Sequence, residues 1–282
     1  MLNNFDIWAE GLDHPEGVAV GSDGSVYAGG EAGQVYTIDE DGAVAEIAQT
    51  GGFILGLAID GNDNIYVCDL AQSKVLRIDA TTRSVSEYSA GSHEQPMRTP
   101  NYLAFDAAGN LYVTDSGTWM GRDGVVHRVA PDGTTSVWST QVPSFPNGCC
   151  LAADASGLLV VESNLPGVSL IPFEGERAGE PQRLVEFDDD VVPDGVAACQ
   201  AGGFIVACYR PDRLYYVDPS GSASILAHDP HAVMLAAPTN VAFAGPDRRR
   251  LVVSSLGRWH LAHGDIGMVG AKLAFPQLST PA

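Results

Sequence analysis

The sequence lacks the features that mark several large classes of protein. No apolar run approaches the ~20 residues needed to span a bilayer, and no basic segment leads into an apolar one at the N-terminus. Basic residues are scarce, because 15 Lys and Arg stand against 35 Asp and Glu and give a formal net charge of −20. Nucleic acids and anionic membranes attract clustered Lys and Arg. We therefore expect neither as a partner, and we expect a small-molecule substrate.

Cysteine is too rare and too irregularly spaced for a disulfide framework or a zinc site. The five cysteines are an odd number, show no C-x-x-C spacing and lie in apolar, strand-like runs. They are Cys68, Cys149, Cys150, Cys199 and Cys208. We expect them to be reduced and buried in a cytoplasmic protein.

Common catalytic motifs are absent as well. The sequence contains no G-x-S-x-G elbow, no Walker loop and no Rossmann glycine pattern. The pair His93-Glu94 is followed by Gln-Pro-Met, so it lacks the second histidine of a metalloprotease helix. Any chemistry therefore has to rest on residues outside these motifs.

What the sequence does contain is a unit of about 40 to 47 residues that occurs six times. Each unit has four β-rich runs separated by turns of Gly, Asn and Asp, and each opens with a similar step into an apolar run. The opening steps are Pro15-Glu16-Gly17, Leu55-Gly56, Pro100-Asn101, Pro146-Asn147-Gly148, Pro193-Asp194-Gly195 and Pro238-Thr239. Six such units predict an all-β, six-bladed β-propeller of four-stranded antiparallel blades, with residues 1–282 forming one domain.

The sixth unit has too little chain for a fourth strand of its own. The β-rich segment Phe5-Asp6-Ile7-Trp8-Ala9 precedes the first unit and has no partner there. We expect this N-terminal strand to complete the last blade, which would remove an exposed sheet edge.

The opening steps also predict a metal site. The first strand of each blade lines the central channel, so Glu16, Asn101, Asn147 and Asp194 should point into one small volume. Two carboxylates held close together repel each other unless a cation lies between them. Oxygen ligands without His or Cys favour Ca2+ over Mg2+, Mn2+ and Zn2+. At the two other positions we expect Leu55 to pack and Thr239 to support the site or to contact substrate.

These residues resemble the SMP-30/gluconolactonase/LRE family of calcium-dependent, six-bladed lactonases, which includes regucalcin-like proteins. The matching segments are Pro15-Glu16-Gly17-Val18, Phe145-Pro146-Asn147-Gly148, Pro193-Asp194-Gly195-Val196 and the run from Pro238 to Asp247. The resemblance implies that Glu16, Asn147 and Asp194 bind the metal, and that Asn101 is a fourth ligand or a substrate contact. It also implies that Asp194 serves as a base. Many sugar lactonases have Asn-Asp where this chain has Asn101-Tyr102, so Tyr102 either reshapes the substrate pocket or packs in its strand.

The leading hypothesis is a calcium-dependent hydrolase that opens a lactone or related cyclic ester, with Asp194 and Asn101 as the catalytic residues. Two alternatives remain at this point. One is phosphotriesterase, lyase or isomerase chemistry at the same ion, and the other is a ligand-binding propeller with structural calcium.

The second strands return to the face of the channel where the first strands begin, so their ends should surround the entrance. This places Asp115 and the loop that carries Trp119 beside the substrate. Arg98, Arg210 and Arg258 are further candidates, since they can bind a carboxylate or a hydroxyl-rich substrate. The sequence does not indicate an oligomeric state.

Overall fold

A computed structural model describes residue 2 and residues 4–278, and within these residues it contains 25 β-strands and no helix. The predicted single domain of residues 1–282 therefore includes six positions, residues 1, 3 and 279–282, that lie outside the described part. No helix in the described residues is long and apolar enough to cross a membrane.

The strands form six antiparallel sheets in chain order, which confirms the predicted six-bladed propeller. The chain begins with β1 (Phe5–Glu10), which belongs to the last blade. Blade 1 consists of β2 (Val18–Val20), β3 (Val26–Gly29), β4 (Gln34–Ile38) and β5 (Val44–Gln49). Blade 2 consists of β6 (Ile54–Ile59), β7 (Ile65–Asp69), β8 (Lys74–Ile78) and β9 (Val85–Ser89). Blade 3 consists of β10 (Pro100–Phe105), β11 (Leu111–Asp115), β12 (Val125–Val129) and β13 (Thr135–Ser139).

The second half of the chain repeats this order with one addition. Blade 4 consists of β14 (Pro146–Leu151), β15 (Gly157–Glu162), β16 (Gly167–Glu174), β17 (Arg177–Ala178) and β18 (Gln182–Glu186). Here β16 pairs with both β17 and β18, so the short β17 is an extra strand that the repeat does not predict. Blade 5 consists of β19 (Val192–Ala198), β20 (Phe204–Arg210), β21 (Arg213–Val217) and β22 (Ala223–His228). Blade 6 contains β23 (Pro238–Ala244), β24 (Arg250–Ser255) and β25 (His260–Asp265).

The N-terminal strand closes the ring, as predicted. β1 pairs antiparallel with β25, from Phe5 opposite Gly264 to Glu10 opposite His260. Phe5 is buried in the cluster between blades 5 and 6, whereas Ile7 is exposed. The first and the last strand of the chain therefore lie in one sheet.

The core lies between neighbouring blades, where apolar side chains of adjacent sheets pack together. All five cysteines are free, as expected; four are buried and Cys150 is half-buried. After β25 the chain crosses the far end of the channel, where Ala271 donates its backbone N–H to Ala198 O and Gly61 donates to Pro276 O. The residues at the starts of the first strands lie at the other end, which we call the mouth.

Candidate functional site

A β-bulge in the first strand of most blades shapes the mouth. The register of β10 against β11 shifts between Pro100 and Leu103, so that Asn101 and Tyr102 oppose the single residue Thr114. Bulges redirect side chains and are common beside functional sites. The first strands of blades 2, 4, 5 and 6 show the same shift at residues 55–56, 147–148, 194–195 and 239–240.

Glycine follows the candidate ligand in blades 4 and 5 because the next blade approaches closely there. A Cβ atom added to Gly148 would lie 2.5 Å from Asp194 O, and one added to Gly195 would lie 2.5 Å from Thr239 O. A larger residue at either position would push the first strands apart. Gly148 and Gly195 therefore keep the neighbouring ligand positions close together.

The four candidate metal ligands are all buried at the mouth. Glu16, Asn101, Asn147 and Asp194 are between 4% and 6% exposed. Each has a buried oxygen without a protein hydrogen-bond partner, namely Glu16 Oε2, Asn101 Oδ1, Asn147 Oδ1 and Asp194 Oδ1. Buried polar atoms are nearly always paired in folded proteins, so four unpaired oxygens in register call for a partner that is not protein.

The two carboxyl groups influence each other. Burial, together with the nearby Asp194 carboxylate, raises the pKa of Glu16 well above its usual range. Burial also raises the pKa of Asp194, while the Asn147 side chain acts in the opposite direction. This is the electrostatic state expected of an acidic pair that has no positive charge beside it.

The two asparagines are oriented by serines at the ends of the second strands. Asn101 donates from Nδ2 to Ser116 Oγ across 3.0 Å, and Asn147 donates from Nδ2 to Ser163 Oγ across 3.1 Å. Each serine hydroxyl donates in turn to a backbone carbonyl in the following blade. Since both amide nitrogens are engaged, the unpaired atom of each asparagine is its oxygen.

This donor set fits a hard divalent cation. Two carboxylates and two amide oxygens match the ligand preference of calcium, which takes about six to eight oxygens and would leave positions for water and substrate. A cation would supply the positive charge that the buried acidic pair lacks. The residues therefore fit the metal that the sequence predicts, although its identity and its role remain predictions.

The two remaining positions of the ring support the site without adding to the unpaired oxygens. Thr239 is fully buried, and its hydroxyl donates to Glu16 O across 2.7 Å. Ser254 Oγ donates to the same carbonyl. Leu55 packs in the cluster between blades 2 and 3. Thr239 thus holds the backbone of Glu16, and its predicted contact with substrate remains a prediction.

Tyr102 crosses the channel below the candidate ligands. Its ring lies against Gly56, and its hydroxyl donates to Val18 O on blade 1 across 3.1 Å. Beyond it, towards the far end, lies an apolar cavity of about 110 Å³ that the segment 271–275 covers. Tyr102 therefore separates the polar mouth from this apolar cavity.

Asp115, predicted to contact substrate, anchors a loop. Its carboxylate accepts hydrogen bonds from Arg98 N at 2.9 Å and Thr99 N at 2.8 Å. His127 Nε2 lies 3.4 Å from Asp115 Oδ2. Burial alone would raise the pKa of Asp115, but the hydrogen bonds from His127 and from the two backbone amides outweigh it and lower the pKa below its usual value. The Asp115 carboxylate therefore already has hydrogen-bond partners within the protein.

The same use of a carboxylate recurs in two other blades. Glu162 accepts from Ser144 N at 3.0 Å and from the guanidinium of Arg183 at 3.0 Å. Asp69 accepts from the backbone and side chain of Gln72. Strand-end carboxylates thus hold the mouth loops in place, a role that the spacing of residues in the sequence does not reveal.

The structure also places the other predicted substrate residues on the mouth face. Arg98 pairs with Asp123 at 3.0 Å, Arg258 donates from Nε to Ala232 O, and Arg210 is exposed at the end of β20. Trp119 is 53% exposed. These residues lie around the mouth, and none is joined to the four candidate ligands by a hydrogen bond in the described structure.

Two features of the mouth were not anticipated from the sequence. Asn240 is fully buried one residue beyond Thr239, and neither of its side-chain amide atoms has a protein partner. Asp13, His14 and Glu31 bring three ligand-type atoms within 4.8 Å of one another. His14 Nδ1 lies 3.1 Å and 3.3 Å from the two carboxylates, which is ion-pair geometry.

The fold and the mouth define a class of protein, a six-bladed propeller with a buried cluster of oxygen donors at one end of its channel. The family model of the SMP-30/gluconolactonase/LRE-like region matches residues 32–257. The chain belongs to this family, as the sequence predicts. A second, short match, to the strictosidine synthase-like N-terminal region, covers residues 1–38.

Solved structures share the whole architecture. A putative gluconolactonase is 16% identical and has a TM-score of 0.80, with 95% of this chain and 94% of that chain covered. A gluconolactonase from Xanthomonas campestris is 17% identical, with a TM-score of 0.79 and coverages of 93% and 89%. Regucalcin from Agrobacterium tumefaciens, described as a calcium-binding protein, is 14% identical, with a TM-score of 0.76 and coverages of 97% and 97%. At such identities these likenesses show the fold.

One curated relative matches part of the chain. Protein STRICTOSIDINE SYNTHASE-LIKE 3 of Arabidopsis thaliana is 25% identical over 171 residues. The match covers 55% of this chain and 43% of that protein, so it spans less than half of the relative's length.

Proposed function

We propose that the protein is a calcium-dependent hydrolase that opens a lactone or a related cyclic ester. The observation that carries the proposal is the set of four buried oxygens at the mouth, on Glu16, Asn101, Asn147 and Asp194, that have no protein partner. Membership of the SMP-30/gluconolactonase/LRE-like family supports the reaction class.

Glu16, Asn101, Asn147 and Asp194 would hold the ion. When bound, calcium would supply Lewis-acid polarisation of the substrate carbonyl. Asp194 is the candidate base, because it combines a buried position at the mouth with an oxygen that no protein group occupies. It would take a proton from the water that attacks the carbonyl carbon, and the ring C–O bond then breaks as the leaving oxygen takes up a proton. General-base assistance of this kind contributes ~10² to 10⁴ in rate.

The surrounding protein restricts the conformations of these groups. Ser116 and Ser163 fix the two amides, and Thr239 and Ser254 hold the backbone carbonyl of Glu16. Groups fixed before the substrate arrives need little reorganisation in the transition state. The network therefore supports a catalytic use of the site.

Hydrolysis of a lactone releases acid, so a pH indicator can follow it. We expect turnover of lactones with calcium, loss of turnover with chelator, and loss of most activity in Asp194→Asn and Glu16→Gln. Glu31→Gln, at an exposed carboxylate on the same face, serves as the matched control. Full turnover by both site variants would refute the metal-hydrolysis account.

A panel of phosphotriesters run in parallel tests the other chemistry that the same ion could support. Cation binding without turnover of any substrate would instead favour a ligand-binding propeller with structural calcium. We also propose a cytoplasmic location, which five free cysteines support.

A further inference from the structure

Apart from Leu273, which lies in the segment that crosses the far end of the channel, the exposed large apolar side chains of the described residues fall into two groups. One group lies on the outermost strands of blades, and Val137 on β13 and Ile225 on β22 are examples. The other group lies on the mouth face, in loops or at a strand end of blades 3 to 6. Its members are Trp119, Met120, Leu165, Tyr209, Val233 and Trp259. Exposed apolar groups that share one end of a channel are candidates for a binding surface.

Two tryptophans of this group flank the candidate ligands from opposite blades. Trp119 comes from blade 3, and its ring packs edge-on against Phe145 at 4.8 Å, two residues before Asn147. Trp259 comes from blade 6, and its ring packs edge-on against His14 at 5.3 Å, two residues before Glu16. Both remain more than half exposed, at 53% and 55%. Each ring thus stands beside a ligand strand and still offers a free surface.

Most strand-end polar groups that could bind substrate hydroxyls are already engaged, although Arg210 is exposed and the Asn240 amide has no protein partner. Asp115, Glu162 and Asp69 accept hydrogen bonds from their own loops. Arg98 pairs with Asp123. The mouth therefore combines a limited set of free polar groups with several exposed apolar side chains.

Charge points in the same direction. The chain carries a formal net charge of −20, which already includes the two carboxylates among the candidate ligands. Such a field repels anions. The same field does not oppose the entry of a neutral molecule.

From these observations we infer that the substrate is a neutral lactone or cyclic ester with an apolar substituent, held against Trp119 and Trp259. This inference rests on the proposed hydrolase function and deepens it. The ester group would lie at the four oxygens, and the apolar substituent would cover the exposed rings at the rim.

A homologous series of substrates tests the inference. γ-Lactones from γ-butyrolactone to γ-octalactone add one methylene at a time, and glucono-1,5-lactone represents the hydroxylated class. We expect kcat/KM to rise about twofold per methylene, because a partly covered methylene gains roughly half of the free energy of full transfer from water to an apolar site. Glucono-1,5-lactone should rank below γ-octalactone. A flat series with glucono-1,5-lactone preferred would overturn the inference.

Variants locate the apolar contact. Trp119→Ala and Trp259→Ala should each reduce the ratio of kcat/KM for γ-octalactone over γ-butyrolactone by about threefold or more, whereas Trp119→Phe should retain most of it. Val137→Ala and Ile225→Ala remove exposed apolar groups on the outer strands and should leave the ratio unchanged. An unchanged ratio in both tryptophan variants would count against the proposed contact.

A binding measurement separates this inference from the reaction itself. 2-Alkylcyclopentanones resemble the lactones in shape but contain no ester, and their binding can be followed by tryptophan fluorescence with Trp119→Phe and Trp259→Phe as references. Tighter binding of longer chains without hydrolysis of any lactone would reject the hydrolase and retain an apolar ligand at the mouth. No dependence of binding on chain length would reject the apolar ligand, whatever the activity.

Discussion

Asn147 donates from Nδ2 to Ser163 Oγ across 3.1 Å, and the Ser163 hydroxyl donates to Pro193 O across 2.7 Å. The amide cannot rotate without losing this bond, so its oxygen is kept free of protein partners. Ser163 thus joins a candidate ligand in blade 4 to the strand that carries Asp194 in blade 5. Cation binding should depend on this serine even though the serine is not itself a candidate ligand.

We therefore expect Ser163→Ala to weaken calcium binding by about tenfold, because one hydrogen bond that orients the amide is lost. Isothermal titration with calcium measures the effect. Ser139→Ala provides the control, since Ser139 is also buried but its hydroxyl accepts from the nearby Gln141 N. Equal calcium affinity in Ser163→Ala and wild type would show that the amide does not need this serine.

The raised pKa values of Glu16 and Asp194 predict an unusual pH dependence of stability in the absence of metal. A carboxyl whose pKa is higher in the folded protein than in the unfolded chain holds its proton more tightly when folded. Stability then rises as pH falls through the folded-state pKa, down to the ordinary values of 4.5 for Glu16 and 3.8 for Asp194. We expect the chelated protein to gain stability as the pH is lowered towards about 5, and calcium to abolish or reverse the trend.

Chemical denaturation in chelator at several pH values measures this trend. The double variant Glu16→Gln, Asp194→Asn should flatten it, which separates the contribution of the pair from that of the other titrating groups. At lower pH the trend must reverse, because Asp79, whose backbone hydrogen bonds from Thr82 and Thr81 lower its pKa to about 2, and Asp115 lose stabilising charge when protonated. A chelated wild type that loses stability as the pH is lowered towards about 5, in parallel with the double variant, would contradict the prediction.

The closure of the ring by β1 predicts effects of very different size for two substitutions on one strand. Phe5→Ala empties a buried position between blades 5 and 6 and should cost about 3–5 kcal/mol of unfolding free energy. Ile7→Ala, on the exposed side of β1, should change it by less than about 1 kcal/mol. Urea unfolding of the two variants measures the difference.

Deletion of residues 1–10 is the stronger version of this experiment. It would expose the edge of β25, and we expect the protein to unfold or aggregate. A truncated protein with an unchanged melting temperature would disprove the closure as a source of stability.

The fold was predictable because local signals repeat. The turns rich in Gly, Asn and Asp and the six apolar runs fix the number of blades, and the unpaired N-terminal strand fixes the closure. The candidate ligands were predictable because they occupy one register position. Hydrogen bonds between distant loops were not, since the role of Asp115 depends on the backbone amides of Arg98 and Thr99, which sequence spacing does not place beside it.

The unpaired amide of Asn240 illustrates the same limit. Its position after Thr239 resembles that of the glycines after Asn147 and Asp194, so the repeat suggests only a spacer. The bulge at residues 239–240 changes the direction of the chain, and the side chain ends buried against Gly195 without a protein partner. Only the folded structure reveals that the Asn240 side chain is buried and unpaired.

Tyr102 was predicted either to reshape the pocket or to pack within its strand, and its bond to Val18 O makes a stability test direct. Tyr102→Phe leaves a buried carbonyl without its donor and should cost about 1–2 kcal/mol of unfolding free energy. Tyr88→Phe is the matched control, because the Tyr88 hydroxyl is buried without a protein partner and its removal should cost nothing measurable. Tyr102→Ala would also remove the ring that separates the mouth from the apolar cavity, and we expect a cost of about 3–5 kcal/mol. If both substitutions at Tyr102 matched the control in urea unfolding, neither the hydroxyl nor the ring would contribute to the stability of the protein. A larger loss for Tyr102→Ala than for Tyr102→Phe, and for both than for the control, would instead identify Tyr102 as the cross-link between blades 1 and 3 beneath the candidate ligands.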